Sequence, residues 1–355
     1  MSDVFKIAGR DVGMGHPPFI IAEMSGNHNQ SLEKALDIVR AAAASGLHAL
    51  KIQTYTADTM TIDIDEREFH IEDEKSLWAG NSLYRLYELA HTPWDWHKPI
   101  FDCAHELGLV AFSTPFDRTA VDFLEDLNVP CYKIASFENT DIPLIRYAAS
   151  TGKPLIISTG MASEEELSES VGEAREAGCE NIVLLKCTST YPANASNANL
   201  ATMADLRHRF HCVAGLSDHT LGIGVAVAAS AFGASVIEKH FTISRAEGGV
   251  DSAFSMEPAE MRMLVEESLK AHYSPGHVAY GATAEEKPSM VFRRSLYIVE
   301  NMKAGEVLTQ DNLRTIRPGY GLPPKYFDSV LGMRVVADVP RGTALSWDLL
   351  KKKHD

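Results

Sequence analysis

Two histidines stand at the ends of short apolar runs late in the chain, His219 in CVAGLSDH and His240 in SVIEKH. Imidazoles held side by side in that way could reach one metal ion. Two ligands do not fill a coordination sphere, so water or substrate would have to complete it, which is the open arrangement of a catalytic metal. Lysines also interrupt apolar runs, Lys51 in ALKIQ, Lys133 in CYKIAS and Lys186 in IVLLKC. A lysine among β-strand apolars is costly to bury without a partner. Several converging with serine and threonine hydroxyls would clamp a phosphate and a carboxylate.

Those runs recur through the first 240 or so residues: 18–23, 49–53, 109–114, 131–136, 154–159, 182–187, 212–217 and 235–240. Amphipathic stretches such as SLEKALDIVRAAAASG and SEEELSESVGEAREAG lie between them. The second opens on an expected Ser163 N-cap with Glu166 closing a capping box, and ends at Gly178. Buried strands alternating with helices imply parallel pairing, because a parallel pair requires a crossover. Eight units of this length predict an α/β fold, a closed (β/α)8 TIM barrel. An open doubly wound sheet is the rival, but AEMSGNHN stands where its Gly-x-Gly-x-x-Gly turn would follow the first strand.

In such a barrel the C-terminal strand ends face the active site. The residues there are Glu23; Lys51 and Gln53; Ser113 and Thr114; Lys133 and Ser136; Ser158 and Thr159; Lys186 and Thr188; Ser217, Asp218 and His219; and Glu238, Lys239 and His240. Each also has a structural reading. A strand-end serine or threonine is most often a helix N-cap, and Lys186 could simply pair with an acid. Glu238 and Lys239 alternate faces, so at least one of them points away from the pocket. Segment 54–100 exceeds a simple βα connection and is expected to be an elaborated active-site loop.

The pattern changes near residue 273. YSPGHVAYGATAEEKPS is punctuated by Pro and Gly and reads as a linker over 274–290. VFRRSLYIV, KAGEVLT, NLRTIRP and VLGMRVV then suggest a small, mostly β domain over 291–355, after a barrel domain over 1–273. A module of that size is marginal alone and is expected to lean on a partner surface.

Composition narrows the function. A formal net charge of -15 argues against a nucleic-acid partner, which calls for a basic footprint. No apolar run approaches the roughly 20 residues of a membrane helix. MSDVFKIAGRDVGMGHPPF lacks the charged-then-apolar layout of a secretory leader, so a cytoplasmic location is expected. The five cysteines are scattered without a CxxC pair, as reduced thiols would be. Asn27-His28-Asn29 after the first strand holds one histidine, which argues against an amidohydrolase-like HxH site.

The segments IAEMSGNHNQSLEKA, KIQTYTADT, FSTPFD, YKIASFENTDIPLI, IISTGMAS, LKCTSTYP, GLSDHTLGI and IEKHFT, in this order, resemble the sialic acid synthase family. FRRSLYIV and IRPGYGLPPKY resemble its C-terminal antifreeze-like (SAF, β-clip) domain. The resemblance runs from about residue 18 to 350. TPWDWHKPIFDCA, GGVDSAFSMEP and RPGYGLPPKY look most like the pseudaminic acid branch of the family.

The resemblance implies condensation of phosphoenolpyruvate with an open-chain 2,4-diacetamido-2,4,6-trideoxy-L-altrose, giving a nine-carbon sugar acid and phosphate. It implies a divalent ion, Mn2+ or Mg2+ or else Co2+, with His219 and His240 as ligands. Lys51, Thr114, Lys133, Ser136, Ser158, Ser189 and Ser217 match positions around phosphoenolpyruvate. Glu23, Gln53, Glu138, Tyr191 and Asp251 match positions lining the sugar or the reacting carbons, and Glu23 or Glu138 would manage the proton. Arg317 matches an arginine that reaches the other subunit's site in a domain-swapped homodimer. Ser189 stands where neuraminic acid synthases have asparagine, and Gly249-Val250-Asp251 replaces the more usual Gly-Pro-Asp. Alternatives within the chemistry are an N-acetylneuraminate or legionaminate synthase, or another phosphoenolpyruvate-dependent 3-deoxy keto acid synthase. Outside it stands a non-catalytic carbohydrate-binding protein.

Overall fold

A computed structural model describes residues 4–72 and 77–351. It divides into two compact units, one ending at Gly276 and the other beginning at His277. Each is treated separately below.

The first unit opens with an antiparallel hairpin, β1 (Val4–Ile7) and β2 (Arg10–Gly13). Its turn residues Ala8 and Gly9 both have positive φ, 48° and 82°, the handedness a two-residue hairpin turn requires. Ile7 and Val12 join the barrel's hydrophobic core, and Arg10 Nη2 lies 3.0 Å from Nε2 of His48. The polarity of this stretch hid the hairpin from sequence reading.

Eight parallel strands follow: β3 (Phe19–Glu23), β4 (Ala49–Thr54), β5 (Val110–Pro115), β6 (Tyr132–Ile134), β7 (Leu155–Ser158), β8 (Ile182–Cys187), β9 (Val213–Asp218) and β10 (Val236–His240). They close in chain order, with β10 pairing β3. The expected strands are all present: 182–187 is matched at both ends, and the others differ by one or two residues at one or both ends.

The helices are α1 (Leu32–Ala44), α2 (Ala57–Met60), α3 (Leu83–Ala90), α4 (Trp94–Glu106), α5 (Arg118–Asp126), α6 (Ile142–Ala149), α7 (Glu164–Glu176), α8 (Thr202–Phe210), α9 (Gly224–Ala231) and α10 (Pro258–Tyr273). The expected capping box starts α7: Glu166 N donates to Ser163 Oγ at 3.2 Å, and Ser163 N donates to Glu166 Oε2 at 2.7 Å. Such a cap contributes about 1 kcal/mol. Segment 54–100, expected as an elaborated active-site loop, does supply residues that line the cavity, but it is built on α2, α3 and the start of α4 and not on loop alone. Residues 73–76 of that segment lie outside the described residues. Among the described residues no helix is long and apolar enough to cross a membrane.

The second unit has its own core, which includes Leu296, Ile298, Met302, Leu308, Leu313, Val330, Val335 and Leu345. Its regular strands are β11 (Ser295–Ile298) and β12 (Leu313–Ile316), paired antiparallel. KAGEVLT and VLGMRVV, expected as strand-and-turn pieces, make turns and isolated bridges such as Val307 with Arg334. A short helix, α11 (Phe327–Val330), runs into the second of these segments. In so small a unit, tight turns leave little length for continuous ladders.

Candidate active site

Strand register explains how residues far apart in sequence become neighbours. Glu23 pairs laterally with Lys51 on one side and His240 on the other, while Gln53 pairs with Thr114. Ser217 pairs with both Cys187 and Glu238. Side chains at the C-terminal strand ends therefore converge over the barrel mouth.

They line a cavity of about 490 Å3, within the roughly 300–1,000 Å3 of small-molecule sites. Of the residues singled out in the sequence, Glu23, Lys51, Gln53, Lys133, Ser136, Glu138, Ser158, Ser189, Tyr191, Ser217, His219, His240 and Asp251 all face it. Thr114 is fully buried and acts one step back, accepting from Lys51 Nζ at 3.1 Å. Arg317 belongs to the second unit, directly after β12.

The two lysines are held differently. Lys51 Nζ lies 2.6 Å from Glu23 Oε2 and 3.8 Å from Glu238 Oε1. Burial works against its ammonium, but Glu23 and Glu238 outweigh this and hold its pKa above the ordinary lysine value. Burial, with Glu238 adding to it, pushes the Glu23 carboxyl up against the pull of Lys51. Lys133 Nζ donates to Ser158 Oγ at 2.6 Å and to the Ile134 carbonyl at 3.1 Å. With no carboxylate in contact, burial dominates and lowers its pKa. An arriving anion would favour its charged form.

Beside Ser136 and Ser189 the backbone comes unusually close. Gly160 N donates to Ser136 Oγ at 3.2 Å, and a Cβ on Gly160 would stand 2.1 Å from Ser189 Oγ and 2.6 Å from Ser136 Oγ. Only glycine fits there. The hydroxyls of Ser136, Ser158 and Ser189 thus line the cavity with the Lys133 amine, which suits a phosphate or carboxylate.

Glu138 has a different environment. Its Oε2 is buried without a hydrogen-bond partner, and burial raises its pKa to about 7 despite the field of Lys133. A carboxyl poised near neutrality can take and return protons.

The histidine pair fits a metal with open positions. The rings of His219 and His240 have centroids 5.3 Å apart. His219 Nδ1 donates to the Thr188 carbonyl at 3.1 Å, which leaves Nε2 as the nitrogen with a lone pair to offer. His240 is held neutral, its pKa pushed well below the ordinary value by burial and by His219 and nearby lysines. Its Nδ1 is buried without a hydrogen bond, 3.5 Å from Asp251 Oδ2. Among the described residues no group of three or more His, Cys, Asp or Glu is placed to hold a metal ion.

Several cavity residues escaped the sequence reading of the site. Ser25 Oγ donates to Asp251 Oδ2 at 2.5 Å and accepts from Gln53 Nε2 at 3.2 Å, joining the β10 and β4 ends. Glu238 proves to be the inward member of its pair with Lys239, which points outward and bonds Asp218 at 2.7 Å. Register, not type, separates the two, so period-two alternation was the available signal. Lys186 donates to the Cys187 carbonyl rather than pairing with an acid. The apolar members, Met60, Leu83, Leu86 and Tyr87, sit in the segment read as a loop.

Fold and cavity define a (β/α)8 barrel with a small-molecule site at its mouth, followed by a separate small β module. The chain belongs to the NeuB family, whose profile matches residues 38–280, and an SAF domain matches residues 293–351. The pseudaminic acid synthase of Campylobacter jejuni (serotype O:2) is 41% identical over 92% of this chain and 95% of its own. That of Helicobacter pylori is 39% identical over 96% of this chain and 99% of its own. A crystal structure of N-acetylneuraminic acid synthetase from Leptospira borgpetersenii, in complex with citrate, superposes with a TM-score of 0.72 at 30% identity, covering 82% of this chain and 96% of that one.

Proposed function

We propose that this chain is a pseudaminic acid synthase, condensing phosphoenolpyruvate with 2,4-diacetamido-2,4,6-trideoxy-L-altrose to give pseudaminic acid and phosphate. The observation that carries the reading is the placing of Lys133, Ser136 and Ser158 in the same cavity as the paired imidazoles of His219 and His240. The first group suits an anion and the second a polarised aldehyde. The identity to pseudaminic acid synthases along nearly the whole chain selects the sugar.

A divalent ion, Mn2+ or Mg2+ or else Co2+, held by His219 and His240 would supply Lewis-acid polarisation of the sugar aldehyde. Lys51, Lys133 and the hydroxyls of Ser136, Ser158, Ser189 and Ser217 bind the phosphoenolpyruvate anion and orient its methylene carbon toward that aldehyde. The new C–C bond forms between those two carbons, and the aldehyde oxygen becomes a hydroxyl. Positive charge develops on the former enol carbon, where the Glu23 and Glu238 carboxylates face it from the cavity floor. Water adds there, and Glu138 accepts its proton and returns it to the former aldehyde oxygen, which so becomes the new hydroxyl. Phosphate then leaves by cleavage of the C–O bond.

Gln53, Tyr191 and Asp251 line the sugar's side of the cavity. In this reading the enzyme works in the cytoplasm as a domain-swapped homodimer, and Arg317 serves the partner's site. The test is incubation with phosphoenolpyruvate and a panel of acetamido sugars, with released phosphate measured and products identified by mass and stereochemistry. Phosphate release with the L-altro sugar and formation of pseudaminic acid are expected. Release only with N-acetylmannosamine or the legionaminic precursor would replace the substrate, and no release with any sugar would overturn the synthase reading.

A further inference from the structure

The cavity is chemically divided. Its floor, built from strand ends, is charged and hydroxylated, whereas one wall is apolar. On α3, Leu83, Leu86 and Tyr87 follow the three- and four-residue spacing of one helical face, and all three line the cavity while only partly buried. Met60 at the end of α2 joins them, as do the rings of Tyr55 and Phe116, whose centroids lie 5.1 Å apart. Tyr55 also meets Tyr87 edge-on at 5.7 Å, which ties α3 to the end of β4.

A second contact fixes this wall. A Cβ on Gly26 would come within 3.1 Å of the Ala90 backbone, so the last turn of α3 packs directly on the chain after β3. The wall is thus positioned by backbone contact, as a selective surface requires.

Phosphoenolpyruvate is small and anionic and has no use for an apolar wall. The sugar in the proposed reaction differs from common hexoses at the end away from its aldehyde: a methyl replaces the terminal hydroxymethyl group, and an acetamido group replaces a hydroxyl. We propose, resting on that reaction, that the α3 face formed by Leu83, Leu86 and Tyr87 with Met60 is the specificity element of this site. It accepts the C6 methyl and the C4 acetamido methyl and rejects sugars bearing hydroxyls at those places. A hydroxyl driven against Leu83, Leu86 or Met60 loses its water and finds no hydrogen-bond partner in those side chains. Discrimination against an added hydroxyl in such a pocket reaches roughly 100-fold.

The experiment compares kcat/KM for the 2,4-diacetamido-2,4,6-trideoxy sugar with that for its 6-hydroxy counterpart, in wild type, Leu86→Asn, Leu83→Asn and Leu86→Met. Wild type is expected to favour the deoxy sugar by roughly 10–100-fold. Both asparagine variants are expected to narrow that ratio, chiefly through KM for the sugar and not for phosphoenolpyruvate, while Leu86→Met preserves it. Met60→Gln, on a separate element, gives the same readout should an α3 variant fail to fold. An unchanged ratio in Leu86→Asn, Leu83→Asn and Met60→Gln, with product still formed from the deoxy sugar, overturns the wall's role and leaves the synthase reading standing. Wild type that releases no phosphate with either sugar overturns both.

Discussion

Lys51 Nζ lies 2.6 Å from Glu23 Oε2, and both side chains are almost fully buried at the mouth of the barrel. Removing either charge strands the other, and this cost exceeds the net worth of the pair. Lys51→Ala should raise the KM for phosphoenolpyruvate and lower kcat, together by roughly 10–150-fold for a loss of about 1.5–3 kcal/mol. It should also lower the thermal midpoint. Lys51→Met with Glu23→Gln should recover stability without recovering activity. Full recovery of both would make the pair purely structural.

The second prediction concerns His219 and His240. Either histidine changed to alanine should abolish most turnover and weaken binding of Mn2+, read directly by calorimetry. Exhaustive chelation should silence the wild type, and added divalent ion should restore it. Undiminished Mn2+ affinity in both variants would remove the imidazoles from the metal site.

Glu138 gives a pH prediction. Its carboxyl has a pKa raised to about 7, so it is protonated below that pH and ionised above it. As a base for attacking water it must be ionised, so kcat should climb as pH rises through about 7. Glu138→Gln should flatten that limb and lower the plateau. A limb that persists in the glutamine variant would belong to another group.

Three histidines outside the chemistry, His28 and His97 buried and His48 partly so, predict acid lability. His28, His48 and His97 each have a pKa lowered by burial from 6.5 to about 4. Between those values the unfolded chain binds protons that the folded chain excludes, so stability falls as pH drops from about 6.5 toward 4. Each shift corresponds to at most about 3 kcal/mol. Urea midpoints at pH 7, 5.5 and 4.5 should decline steadily. His48→Gln should shallow that decline, since its ring accepts from Ile20 N at 2.9 Å beside Arg10.

Subunit complementation tests Arg317. Arg317→Ala and His219→Ala homodimers should both be poor enzymes. After subunit exchange the mixed dimer should hold one site with an intact barrel and an intact arginine, and regain about a quarter of wild-type activity in an equal mixture, since half the dimers are mixed and each has one working site. No recovery would place the arginine in its own chain's site.

The strands and most cavity residues were legible in the sequence because a barrel repeats one local rule. Each buried run is apolar until its C-terminal end, where polar residues such as Lys51, Ser158 and His240 mark the mouth. Their order around the cavity follows from parallel closure alone. Which face a strand-end residue takes depended on register, as Glu238 inward and Lys239 outward illustrate. The apolar wall depended on more than register. Leu83, Leu86 and Tyr87 show helical spacing, but nothing local says whether that face meets the core or a cavity. The N-terminal hairpin was likewise set by packing, since Ile7 and Val12 gain their burial only from the barrel they join. Sequence by itself determined the period-driven elements and the chemistry offered at their ends. Tertiary structure alone decided pKa values and partners, because burial and the distances between charges arise only when separate strands are brought side by side.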